Sequence, residues 1–306
     1  MSTQPSWSLF GLTVRSQLPL PFAAIRGGDG GEPDVLVRFG VLSAGTGRME
    51  GCGPDAIRFE APGVGRFRIS AGRDIVIDPA PGASERNLRL FLLGSAFGAL
   101  LHQRGVLPLH ANAVVLDGRA IAFMGASGSG KSTLAAWFQD RGRNVLADDV
   151  CAVTVERGIP YALPGVPRLR LWRDALERSG REPGRFEPSF DGRDKFDVPA
   201  PCPCAPVAAP LAALYVLENG EGEASIEPLR ASQAVEALIA HTYRGSCVPL
   251  IGASVRHFAA CLELARQVPV HLVRRRKDAA AFERSTRAIE SHAHAALAEA
   301  AAPVRS

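Results

Sequence analysis

The segment Gly125-Ala-Ser-Gly-Ser-Gly130-Lys131-Ser132-Thr133 limits what this chain can fold into more than any other stretch. It satisfies the spacing Gly-x4-Gly-Lys-Ser/Thr. An apolar run, Ala120 to Met124, precedes it, and a helix-like stretch from Ser132 to about Arg141 follows it. A loop of this kind works only between a strand and a helix, so the sequence predicts an α/β fold. Glycines at 125, 128 and 130 let the backbone curl until its N–H groups point inward at phosphate oxygens. The helix start adds the positive end of its dipole. Lys131 is placed to reach the β- and γ-phosphates of ATP, and Ser132 to offer a hydroxyl to Mg2+. Ser127, Ser129 and Thr133 complete the predicted nucleotide-binding stretch.

Lysine usage points to the same place. The 35 basic residues of this 306-residue chain include only three lysines, Lys131, Lys195 and Lys277. In a chain that writes arginine almost everywhere, a lysine in the loop marks a position that suits a compact ammonium better than a planar fork. The remaining composition is that of an ordinary globular protein, with 46% hydrophobic and 22% charged residues, which excludes disorder as the main state. A net charge of +4 is mild, and no nucleic-acid partner is expected from it. The dense cluster Arg274-Arg275-Arg276-Lys277 reads as a solvated strand end or turn, and Lys277 as surface.

No membrane or export segment is expected. Met1 to Phe10 lacks a basic stretch followed by an apolar run. The apolar stretch Leu88 to Leu101 is too short to span a bilayer. The six cysteines lack disulfide or zinc-ribbon spacing, and the close pair Cys202-Pro-Cys204 has no second pair beside it. A reducing cytoplasm is the expected location.

Residues 1–86 have a β texture, with alternation around Val35–Phe39, Ile57–Phe59, Phe67–Ile69 and Ile75–Ile77, and read as a small antiparallel domain. From 87 to 306 the texture is α/β, beginning with a helix over Asn87–Arg104. Strands are predicted at Ala113–Leu116, Ala120–Met124, Asn144–Ala147, Leu211–Leu217 and Val268–Val273. Further helices are predicted at Ala231–Thr242, Val255–Ala265 and Ala279–Ala300. Pro164 to Pro210 is rich in Pro, Gly and charge and reads as irregular, apart from a short helix near Leu171–Arg178. Such a segment inside a compact domain is usually functional or mobile.

The strand at 144–147 delivers Asp148 and Asp149 to its C-terminal edge, where α/β sheets bind ligands. One carboxylate is suited to hold Mg2+ and the other to accept the proton of an attacking hydroxyl. Upstream, His110 opens the strand at 113–116. A regular antiparallel hairpin is expected to put His110 and Gly125 at opposite ends, so that only a less regular path brings the histidine to the loop.

His110, Gly125-x-Ser-Gly-x-Gly-Lys131-Ser132, Arg141-Gly142 and Leu-Ala-Asp148-Asp149 together resemble the catalytic domain of HPr kinase/phosphorylase. That family phosphorylates a seryl hydroxyl on a small carrier protein and shares its phosphate-loop fold with ATP-dependent phosphoenolpyruvate carboxykinases. The resemblance runs from about His110 to Val153. It implies a phosphate-loop kinase core of HPr kinase type with a β-rich N-terminal region, ATP and Mg2+ as cofactors, and a protein or peptide phosphoacceptor. It also implies assembly into homo-oligomers. His110 takes an electrostatic or proton-tuning role, and Lys131 neutralises the phosphates. Asp148 becomes the base, and Asp149 and Ser132 become Mg2+ ligands, with the order of the two aspartates left open. The family's downstream glycine–arginine segment has no clear counterpart beyond Pro183-Gly184-Arg185. The architecture is also similar to smaller relatives encoded with ribosomally made peptides, including kinases that modify lasso-peptide precursors.

Lys195, with Arg193 beside it, is a candidate phosphate clamp in a segment placed to fold over the loop. Arg168, Arg170 and Arg244 read as structural or solvated, with a substrate groove as the alternative. Competing functions are a phosphate-loop ATPase, a small-molecule kinase and a nucleotide-binding regulator. The ATPase reading lacks an LSGGQ-like signature and a second acidic strand downstream.

Overall fold

A computed structural model describes residues 5–24, 31–53, 55–200 and 207–301. Cys202 and Cys204 lie outside these residues. The N-terminal alternation does produce strands. Ala56–Ala61 and Gly65–Ser70 form a hairpin that turns Ile57, Phe59, Phe67 and Ile69 inward and charged residues outward. The sheet has seven strands and is mixed, not antiparallel. Val35–Phe39 sits between Leu12–Ser16 and Asp74–Pro79 and runs parallel to both. Alternation specifies which face is buried but not strand direction. Parallel neighbours need long connections, and both are long here: residues 17–34 and 40–73.

The inner face of this sheet is covered by the next helical segment. It begins at Glu85, with the Ser84 hydroxyl accepting the Asn87 N–H (3.3 Å). It passes through a π turn at Leu92–Ala96 and ends at Gln103. Leu88, Leu92, Phe97, Leu100 and Leu101 enter the N-terminal core, which therefore extends past residue 86. The π turn accompanies a close contact. A Cβ on Gly98 would lie 2.9 Å from the ring of Tyr243, and one on Gly94 2.9 Å from its hydroxyl.

The second sheet is centred on the hairpin Ala111–Leu116 and Arg119–Gly125. Arg119–Gly125 runs parallel to the long strand Ala209–Asn219, whose C-terminal half runs parallel to Val270–Arg275. Its start pairs with Ile159–Ala162, leading on to Cys151–Glu156 and Leu107–Leu109. Alternation sorts the hairpin between two helical layers. Ile121 and Phe123 pack with Leu134, Phe138 and Ile289, from the helices Lys131–Gln139 and Ala279–Ala301. Ala120, Ala122 and Met124 pack with Leu238 and Leu264, from Ala231–Ala240 and Ser254–Gln267. Fully buried apolar strands between two helical layers are what parallel-type sheets require. The molecule is a mixed α/β structure. No helix among the described residues is long and apolar enough to cross a membrane.

The stretch 164–210 departs from the irregular reading. Arg168–Trp172, Lys195–Pro199 and Glu187–Pro188 form a three-stranded antiparallel sheet, and the helix Arg173–Arg178 follows its first strand. Leu169, Leu171, Phe196 and Val198 supply its buried face. The two longer strands carry only two such positions each and the third none, too few to stand out against the proline and charge around them.

The glycine notch gives a stability test. Gly98→Ala should destabilise the fold by about 1–2 kcal/mol in urea melts, because a methyl group has no room beside Tyr243. An open helical glycine would instead gain about 1 kcal/mol from alanine.

Candidate functional site

The loop 126–130 links the strand Arg119–Gly125 to the helix Lys131–Gln139, as its spacing requires. Gly128 and Gly130 adopt φ of +80° and +90°, values open to glycine at little cost. Lys131 is 6% exposed, and its Nζ donates to the carbonyls of Gly125 (2.7 Å) and Ala126 (3.1 Å). Burial pulls its pKa down to about 8, against the opposing pull of the Asp149 and Asp148 charges.

Asp148 follows the strand Asn144–Ala147 and is 9% exposed. Its Oδ1 accepts from Asn112 Nδ2 (2.5 Å) and from the Ser132 hydroxyl (3.0 Å), and its Oδ2 accepts from the Arg170 backbone N–H (2.5 Å). Burial pushes its pKa up, with Asp149 adding to the rise and Arg170 opposing it. Asp149 differs. Its backbone takes φ of +71°, a left-handed conformation that Asp tolerates better than most residues. Its carboxylate ion-pairs with the Arg170 guanidinium and lies 3.6 Å from His110 Nδ1. Burial works to raise its pKa, but Arg170, His110, Lys195 and Lys131 together hold it below the usual carboxylate range. Adjacent aspartates with oppositely shifted pKa values are the signature of two different tasks.

His110 reaches this cluster through the regular hairpin, contrary to the expectation that such a hairpin would separate it from the loop. Ala111 pairs with Met124, because the start of the first antiparallel strand lies opposite the end of the second. His110 is held by its backbone N–H to the His241 carbonyl (2.7 Å) and packs beside Tyr243, with ring centroids 5.9 Å apart. Burial lowers its pKa, and the Lys131 charge lowers it further.

Most of these groups open onto a cleft of about 700 Å³, within the range of ligand pockets; Gly125 and Asp148 are not on its wall, and Asp148 reaches it through Ser132. His110, Ser127, Gly128, Ser129, Gly130, Lys131, Ser132, Thr133 and Asp149 line it, as do Asn112, Arg170 and Lys195. Lys195 belongs to the three-stranded sheet, with its Nζ 5.7 Å from the Trp172 ring centroid; burial and the Arg170 charge lower its pKa. Arg193 is exposed and absent from the cleft wall, because it falls in the turn before the strand. Arg168 pairs with Asp197, and Arg244 is exposed beside Tyr243. Arg170, read as structural or solvated with a substrate groove as the alternative, lines the cleft. Its signal was the strand alternation of Leu169 and Leu171, which turns 168 and 170 to the other face. Lys277, read as surface, lines the same cleft, so all three lysines of the chain do.

The residues present suit Mg2+. Ser132 and Asp148 offer two hard oxygen donors already in contact. No group of three or more His, Cys, Asp or Glu among the described residues could form an all-protein metal cage. Mg2+ ordinarily takes one or two carboxylates and completes its shell with water and substrate phosphate.

No family model matches the chain, and no curated protein does. Among solved structures the chain is similar to the HPr(Ser) kinase/phosphatase from Coxiella burnetii. The identity is 15% and the TM-score 0.34, over 60% of this chain and 95% of that one. The functional reading therefore rests on the geometry of the site.

The Asp149–Arg170 pair can be tested by a double-mutant cycle. Asp149→Asn should cost up to about 3 kcal/mol in urea melts, because it leaves Arg170 buried with less compensation. Adding Arg170→Met should recover part of that loss. Additive costs would mean that the two side chains are not coupled.

Proposed function

We propose that this chain is an ATP-dependent, Mg2+-requiring kinase that transfers the γ-phosphate to a seryl hydroxyl of a protein or peptide. The observation that carries the reading is the convergence of Lys131, the Ser132–Asp148 pair, Asp149 and His110 on one cleft. A passive nucleotide-binding protein has no need of a second carboxylate, flanked by histidine and arginine, beside the loop, whereas a transferase needs one to orient the attacking hydroxyl.

The geometry favours a division of labour between the aspartates that reverses the one implied by the family resemblance. Asp148 already accepts from three donors, one of them the Ser132 hydroxyl, so it suits the metal side. Mg2+ held there would screen charge on the β- and γ-phosphates. Asp149 lines the cleft and suits the acceptor hydroxyl. Its low pKa makes it a weak base, which fits phosphoryl transfer: the transition state is loose, and the base mainly orients the hydroxyl and takes its proton late. Arg170 and His110 hold that carboxylate in place. Lys131 neutralises phosphate charge, and Lys195 approaches from the small sheet as the clamp.

The acceptor class is a small protein or a ribosomally made precursor peptide of lasso type. Labelled ATP, Mg2+ and candidate acceptors, including peptides from neighbouring genes, should give a phosphoserine that mass spectrometry can map. Lys131→Ala should abolish transfer. Asp149→Asn should lower it by at least about 100-fold with nucleotide binding retained, whereas Asp148→Asn should lose the Mg2+ dependence of nucleotide binding. The opposite pattern in the two aspartate variants restores the original order of roles. ATP turnover that is indifferent to every acceptor would remove the kinase reading.

A further inference from the structure

The run Arg274–Lys277 was expected to be solvated, and three of its four cations are exposed. Arg274 ion-pairs with Glu227 (3.4 Å) and Glu218 (3.7 Å), and Arg276 pairs with Asp278 (2.9 Å). Arg275 is the exception, at 5% exposure.

Topology explains where it goes. Val270–Arg275 runs parallel to Ala209–Asn219, which runs parallel to the strand feeding the phosphate loop. The C-terminal ends of all three strands therefore lie at the same edge of the sheet. Alternation turns Arg275 to the side of Val273, toward the layer that holds the loop's helix. Its Nη2 donates to the Ser129 carbonyl at 3.2 Å, and its Cζ lies 5.3 Å from the Phe282 ring centroid. The fit is close: a Cβ on Gly130 would stand 2.8 Å from Nη2. Glycine at 130 therefore serves twice, giving φ of +90° and making room for this arginine.

What Arg275 lacks is an anion. Its Nη1 is buried with no hydrogen-bond partner, and no carboxylate among the described residues lies within ion-pair distance. A buried guanidinium loses more on leaving water than one carbonyl and one ring face return. Losing its proton is no escape, because burial lowers its pKa only to about 10. A fixed positive charge thus stands against the 129–130 half of the phosphate loop and on the cleft wall. Lys131 holds the 125–126 half.

We propose that Arg275 is a phosphate-anchoring residue, with its guanidinium donating to a non-bridging α- or β-phosphate oxygen of the bound nucleotide. This rests on the reading of the loop as a nucleoside triphosphate site. The α/β choice follows from loop mechanics: the backbone N–H groups cradle the α- and β-phosphates, while the loop lysine reaches β and γ. Arg275 therefore serves ATP and ADP alike, whereas a residue acting on the transferred phosphate would discriminate between them. It couples the far strand of the sheet to nucleotide occupancy.

The test is calorimetric titration of ATP, ADP and inorganic pyrophosphate, with thermal melts of the ligand-free proteins. It compares wild type, Arg275→Met, Arg275→Gln and the neighbouring control Arg274→Met. Ligand-free Arg275→Met should melt at or above wild type, since an uncompensated charge has been removed. Its affinities for ATP and ADP should fall by the same factor, about tenfold or more, as expected for a lost charge-assisted hydrogen bond. Arg275→Gln should fall by a similar factor, and Arg274→Met should stay within about twofold of wild type. Unchanged nucleotide affinity in both Arg275 variants overturns the proposal. So does a loss confined to ATP, which would move the contact to the γ-phosphate. Failure of wild type to bind either nucleotide would remove the parent reading instead. Pyrophosphate then decides the arginine separately: binding lost in Arg275→Met supports the anchor, and binding unchanged overturns it.

Discussion

Asp148 is a buried carboxylate that three separate parts of the chain must satisfy at once. Asn112 comes from the central hairpin, Ser132 from the helix after the phosphate loop, and the Arg170 N–H from the small three-stranded sheet. An ionised carboxylate at this depth is tolerable only with donors around it. Its presence thus ties the hairpin, the loop and the small sheet into one arrangement. The cleft lies where these three meet.

The second constraint is an excess of positive charge that the protein alone does not balance. Lys131, Arg170, Lys195 and Arg275 all face the cleft, with Asp149 as the carboxylate that pairs with Arg170. Burial opposes the charged form of each of these cations. Such a site spends folding stability on preorganisation, and an anionic ligand returns it on binding. The left-handed backbone at Asp149 belongs to the same economy, since strain of this kind persists where surrounding contacts over-determine it.

Much of the α/β region was legible because its signals are local. The strand, loop and helix around Gly125–Thr133 are encoded within about fifteen residues, and the apolar runs at 113–116, 120–124 and 211–217 read as buried strands. The small sheet was not legible. Its buried residues, Leu169, Leu171, Phe196 and Val198, are split by two dozen polar and proline-rich positions, and pairing of 168–172 with 195–199 is a non-local event. Strand direction in the N-terminal sheet escaped for a similar reason: alternation reports a buried face and carries no information on parallel or antiparallel partners. Arg275 was hidden in a run with two other arginines and a lysine, and only its place in the fold distinguishes it.

By itself the sequence determined the glycine-rich loop between a strand and a helix, the carboxylates delivered by the next strand and the α/β pattern. These depend on backbone conformations and periodicities that each segment carries alone. Tertiary structure decided the rest: that Asp148 faces the loop serine while Asp149 faces the cleft, and that one arginine in a run of four cations is buried without a counter-ion. Each of these is a relation between strands distant in the chain. The physical reason is that electrostatic roles follow from burial and from which charge stands opposite, and neither is a property of a residue until the sheet order brings its neighbours to it.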